Sequence, residues 1–198
     1  MKQQSEEWFN ARLGLVTASR IIDIMPSSRG YRASRDNYIA QLVCERLTGQ
    51  REESFTNSAM QWGTDNEPLA RAAYEAVTGV IVDEVGFIKH PEITGLGASP
   101  DGLVGSDGCI EIKCPNTATH LRTYLKGEIK KDYIYQMQTV MMCAERDWCD
   151  FVSYDPRLPD KYCPHIIRVE RDEKMIDDII TEVESVLIDI EQLMEDLK

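Results

Sequence analysis

The run Cys109-Ile110-Glu111-Ile112-Lys113-Cys114 constrains the fold of this chain more than any other segment. It is an apolar stretch with a carboxylate and an ammonium set into it two residues apart. In a β-strand, residues i and i+2 point to the same face. Read as a strand, the run projects Glu111 and Lys113 together into one cleft. The alternative is a solvated strand face with a cross-paired charge, since isolated motif matches carry real false-positive risk. Three features favour the cleft. The charges interrupt an apolar run, where a solvated strand would more often alternate cleanly. The turn-prone segment from Gly102 to Gly108 precedes the run like the turn of a hairpin. Pro115 then stops the strand just after Lys113.

Asp101, in Ser99-Pro100-Asp101-Gly102, lies just beyond a proline, where the chain is expected to turn. From a neighbouring strand it can join Glu111 and Lys113. Two carboxylates can hold a hard divalent cation such as Mg²⁺, which prefers oxygen ligands. A lysine beside them can orient or help deprotonate a water. That chemistry cuts phosphodiesters.

The rest of the chain reads as one α/β domain over 1–198, a mixed central β-sheet flanked by helices. Strands are predicted at 80–89, 95–104, 109–114, 148–154 and 163–170. Helices are predicted at 17–25, 34–48, 57–78, 117–126, 131–144 and 173–197. Pro68 is expected to begin a helix rather than sit inside one. The last helix has an apolar stripe that includes Ile176, Ile179, Val183, Val186 and Ile190, with acids opposite, and is read as a surface helix packed on the sheet. The six cysteines form no C-x-x-C pair and are read as reduced, mostly buried thiols. No run of about eighteen apolar residues predicts a membrane span. The N-terminus lacks the apolar stretch of a signal peptide, so a cytoplasmic location is expected.

Several short motifs in order carry a resemblance over nearly the whole chain. Arg12-Leu13-Gly14-Leu15-Val16-Thr17-Ala18-Ser19 and Trp62-Gly63-Thr64-Asp65-Asn66-Glu67 precede the two catalytic pieces. Tyr135-Gln136-Met137-Gln138, Tyr154-Asp155-Pro156-Arg157 and Val169-Glu170-Arg171-Asp172-Glu173-Lys174 follow them. The sequence resembles the lambda-type phage (alkaline) exonucleases of the PD-(D/E)xK nuclease superfamily. The resemblance implies a restriction-endonuclease-like core and a Mg²⁺-dependent 5′-to-3′ exonuclease acting on double-stranded DNA ends. Such an enzyme digests the 5′-ended strand and leaves a 3′ tail for recombination by strand annealing. It also implies a homotrimer ring enclosing DNA and a single-strand annealing protein as partner.

By the same resemblance, Glu67 joins Asp101, Glu111 and Lys113 as a catalytic residue. Asp101, Glu111, Glu67 and the backbone carbonyl of Ile112 would hold two Mg²⁺, for which Mn²⁺ can substitute. Arg12, Ser19, Ser99 and Gln138 match positions that cradle a 5′-phosphate. Met60 matches an apolar wedge that unstacks a base step. Arg29, Arg32 and Thr17 are expected DNA contacts. Each also has a plain reading. Ser19 or Thr17 can cap a helix, Gln136 or Gln138 can be an ordinary helix-surface residue, Met60 can be a core methionine, and loop arginines are commonly solvated. Two other functions fit the same motifs: a restriction-type endonuclease on this core, or an inactive DNA-binding scaffold.

The net charge of −12 is awkward for a DNA enzyme, because nucleic-acid binders usually carry a basic footprint. Much of the acid is local. Residues 172–198 hold ten acids and two lysines, net −8, and the remainder carries 24 acids and 20 bases, net −4. A body near neutrality can still present a basic groove.

Overall fold

The computed structural model describes residues 1–31, 33–51 and 57–198. Arg32 lies outside the described residues. Five strands form the main sheet in the order β2 (Val82–Asp83), β5 (Gly102–Val104), β6 (Gly108–Lys113), β7 (Trp148–Ser153), β8 (His165–Glu170). A smaller sheet joins β1 (Val16–Thr17), β4 (Leu96–Ala98) and β3 (Ile88–Lys89). β5 and β6 are antiparallel, turning through Gly105, whose φ of +57° suits a residue without a Cβ. β6 and β7 are parallel, so the chain must cross over, and α5 (Thr117–Lys126) and α6 (Lys131–Ala144) make the crossing. Gly108 pairs with Trp148, and a Cβ there would sit 2.1 Å from the indole.

The two faces of the main sheet are covered differently. Ala70 and Tyr74 of α4 (Ser58–Thr78) pack on Ile110, Ile112 and Val152. Cys109, Cys149 and Phe151 face the larger core, built with α2 (Ile21–Ile24), α3 (Ala33–Thr48), α6 and α7 (Glu173–Asp196). Glu111 and Lys113 share the Cys109 face by strand alternation.

Five expectations need correction. The strand expected at 80–89 is two short ones, in different sheets. The strand expected at 95–104 is likewise split between β4 and β5. Pro100 has no N–H to give a ladder, so the chain changes sheets there. The helix expected at 17–25 begins as strand β1, then continues as a 3-10 turn over Ala18–Arg20 and α2. Pro68 lies inside α4 rather than starting a helix. The lost hydrogen bond falls on the exposed side, at Thr64 and Pro68, where water replaces it. α7 buries its predicted stripe, but against α3, α6 and α2 rather than on the sheet. Burying each of its five core residues is worth about 1.5–3 kcal/mol. None of the described helices is long and apolar enough to cross a membrane.

One helix escaped the sequence reading. α1 (Glu6–Arg12) starts at Ser5, whose hydroxyl accepts from Trp8 N at 3.2 Å. Ser5-Glu6-Glu7 carried that signal, a cap followed by acids in the first turn.

Candidate active site

β6 brings Glu111 and Lys113 side by side, as its alternation requires. The Lys113 ammonium pairs with Glu111 Oε1. It also lies 5.0 Å from the Tyr133 ring, which stacks on Phe151 of β7. Asp101 reaches the same strand from the bend after Pro100. Its Oδ2 accepts from Ile112 N at 2.7 Å, satisfying the main chain where β5 no longer pairs. Glu67 arrives on α4. Arg71, one turn further on and buried, donates to Glu67 Oε1 at 2.7 Å and to the Asp101 carbonyl at 3.1 Å. Arg71 thereby ties the helix to the bend. The i,i+4 spacing of Glu67 and Arg71 was its one visible signal.

Glu67, Asp101, Ile112 and Lys113 line a cavity of about 660 Å³. Burial, and then repulsion from Asp101, push the Glu67 carboxyl up to about 7 despite Arg71. Burial raises Glu111 and Asp101 as well, against the pull of Lys113. Burial alone would lower the Lys113 ammonium, but Glu111 and Asp101 outweigh it and hold its pKa above the usual value. Burial pushes the Cys114 thiol in the cavity wall up to about 12, which keeps it neutral and poorly nucleophilic.

Among the described residues no three His, Cys, Asp or Glu side chains converge closely enough to hold an ion as they stand. The donor set nevertheless suits a hard cation. Glu111 Oε2 is buried without a hydrogen-bond partner, a carboxylate oxygen with unused acceptor capacity. Three crowded carboxylates with raised pKa values are the environment that a bound cation relieves.

The remaining predicted residues divide. Arg12 Nη1 and Trp8 Nε1 both donate to Ser99 Oγ at 2.9 Å, and the Arg12 guanidinium lies 4.1 Å from the Trp8 ring. Burial lowers the Arg12 pKa without bringing it near neutrality. Ser19 is exposed on the 3-10 turn and makes no hydrogen bond to Arg12 or Ser99. Met60 is 51% exposed at the cavity edge, so it is not a core methionine. Arg29 is exposed in the Ser27–Gly30 turn.

Two other expected residues are buried among partners of their own. Thr17, expected to touch DNA, is buried, and its N–H and hydroxyl both meet the Tyr38 hydroxyl, at 3.1 and 3.4 Å. Gln138, expected at a phosphate, is buried where β8 passes into α7. It donates to Glu170 O and accepts from Asp172 N, both at 2.9 Å. Those bonds leave its amide committed to the main chain. Gln136, on the other side of α6, is half-buried.

Residues 7–147 match the family of YqaJ-like viral recombinase domains. The chain is 56% identical to an alkaline exonuclease, LHK-Exo, from Laribacter hongkongensis. That crystal structure superposes with a TM-score of 0.91 over 98% of this chain and 96% of the other. A second crystal structure of LHK-Exo, in complex with dAMP, matches equally well. A phage related exonuclease from Haemophilus somnus 129PT shares the fold, with a TM-score of 0.72 over 96% of this chain and all of that one, at 18% identity. Uncharacterized protein R354 of Acanthamoeba polyphaga mimivirus is 26% identical over 166 residues, and the match takes in 77% of this chain and 29% of that protein's length. With a restriction-endonuclease-like mixed sheet beneath these matches, the chain belongs to the YqaJ-like viral recombinase family, of the lambda-exonuclease type.

Proposed function

We propose that this chain is a Mg²⁺-dependent exonuclease on double-stranded DNA ends, digesting the 5′-ended strand and leaving a 3′ tail for strand annealing. The observation that carries the reading is the pairing of Lys113 with Glu111 beside Asp101 in the wall of one cavity. The likeness to an alkaline exonuclease supports it. Asp101, Glu111 and the Ile112 carbonyl would hold the cation, with Glu67 next to them. When bound, Mg²⁺ supplies Lewis acidity toward the phosphoryl group and acidifies the attacking water.

The chain's own groups do the rest. Lys113, protonated at every working pH, offers N–H donors to the water and to charge that develops on the phosphoryl oxygens. Ile112 N fixes the Asp101 carboxylate in one orientation. Arg12, steadied by Trp8, and the Ser99 hydroxyl would grip a terminal 5′-phosphate, with Ser19 nearby in sequence. Met60 is the apolar side chain available to part the strands. A homotrimer ring and a single-strand annealing partner, in the cytoplasm, complete the reading by family likeness.

A linear duplex labelled at its 5′ or 3′ end, compared with a closed circle, tests this. Loss of the 5′ label from linear DNA with Mg²⁺, while circles survive, is the expected outcome. Nicked circles, or no cutting with Mg²⁺ or Mn²⁺, would refute it. Light scattering should give the mass of three chains.

A further inference from the structure

The Tyr154-Asp155-Pro156-Arg157 motif has no part in the chemistry above, yet Arg157 lines the same cavity. Asp155 is fully buried. It accepts from Arg157 Nε at 2.7 Å, Arg157 Nη2 at 3.0 Å, Arg157 N at 3.1 Å and Thr117 Oγ1 at 2.6 Å. The Arg157 guanidinium also lies 4.6 Å from the Trp62 ring, another cavity residue. The fork is thus fixed from two sides, which removes much of the entropy lost when a ligand is gripped. Its side chain is nevertheless 49% exposed, and Nη1 has no partner among the described residues. An arginine serving only to neutralise a buried carboxylate has no need to stand in a cavity with two N–H groups unused. Lys130 lines the same cavity. So do Asn116, Thr119 and Asn57 from the first turns of α5 and α4. The cavity thus carries carboxylates and a set of donors in one lining. Pockets of about 300–1,000 Å³ take nucleotide-sized ligands, and this one is within that range.

We propose that Arg157, oriented by Asp155 and Trp62, is a second phosphate subsite. It holds the phosphodiester adjoining the scissile one, on the side away from Arg12 and Ser99. The proposal rests on the nuclease reading. Arg157 is a binding residue in it, and Asp155 a positioning residue.

The test is Arg157→Gln, which keeps a donor for Asp155 and a stem over Trp62 but removes the charge. KM for linear duplex should rise about tenfold, the effect of one charge-assisted contact. kcat at saturating DNA should stay within about twofold. Binding of a fluorescein-labelled tailed duplex in EDTA should show a salt slope shallower by about one phosphate contact. Phosphorylated and hydroxyl 5′ ends should be affected alike, in contrast to Arg12→Ala. Should Arg157→Gln lose its cooperative melt, Arg157→Lys takes its place, with the salt slope kept and KM raised. An active wild type whose Arg157→Gln form keeps KM and salt slope, or melts lower with both unchanged, overturns the subsite and leaves the nuclease reading intact. A wild type that digests no DNA overturns the reading itself.

Discussion

Tyr74→Phe removes one oxygen from the interface between α4 and the sheet, and its effect can be worked out in advance. Tyr74 is 1% exposed, and its hydroxyl donates to Asp150 Oδ2 at 2.8 Å. Burial, and then Asp150, raise the phenol pKa well above its usual value, so it stays a donor. Asp150 keeps Arg168, bonded at 2.8 and 3.0 Å, and is not left as an uncompensated charge. The loss is therefore that of one hydrogen bond to a charged group, at the low end of about 1.5–3 kcal/mol. For a chain of this size each kcal/mol lowers Tm by about 2–4 °C, so a fall of about 3–8 °C is expected by calorimetry. Glu67 lies two turns earlier on the same helix, so kcat should fall a few-fold while KM holds. A double-mutant cycle with Asp150→Asn isolates the bond. A Tm within about 1 °C of wild type, or full additivity in the cycle, would refute the reasoning.

Asp101→Ala and Glu111→Ala should each abolish cutting yet keep a cooperative melt, and near-normal activity at saturating Mg²⁺ in either would remove the ligand assignment. Arg12→Ala should slow digestion of 5′-phosphorylated ends and spare hydroxyl ends, since a terminal phosphate carries more charge; a wild type indifferent to the end would sink the clamp. Gln138→Ala should cost about 1–3 kcal/mol by stripping both bonds from the β8–α7 junction, with end preference unchanged, whereas a weakened end preference at full stability would return Gln138 to the phosphate. In EDTA, stability should fall as pH rises from about 4.5 to about 7, because Glu67 and Glu111 are neutral in the fold at the low end and must ionise at the upper; Tm constant across that window would contradict the burial assigned to them.

What the sequence disclosed was local. Glu111 and Lys113 share a face because alternation along a strand needs no partner to define it. Asp101 lies at a bend because Pro100 cannot sit inside a ladder. The misreadings at 80–89 and 95–104 have the opposite cause. Each stretch has strand character throughout, but each half pairs in a different sheet, and pairing partners are not written in a run's own pattern. Gln136 and Gln138 fall on different sides of α6. That Gln138 is taken up at the junction of β8 and α7 is settled only by tertiary packing. Arg71 and the Asp155–Arg157 pair are tertiary choices of the same kind.

The acidity of the chain bears on the function through where the charge lies. α7 turns its apolar stripe onto α3 and α6 and its acids to solvent. None of its residues lines the cavity. Its net −8 with the preceding cap is thus held on the far side of a helical layer. Exposed charges more than about 8–10 Å apart are largely screened at physiological salt. The field a DNA strand meets is set instead by the charges lining the cavity. Glu67 and Asp101 in its lining, with the buried Glu111 close by, repel phosphate until a cation is bound. Arg157 and Lys130 in the same lining attract it regardless. Removing the cation should therefore weaken DNA binding at this site more than the global charge implies, since the carboxylates then offset the cationic side chains within a single cavity.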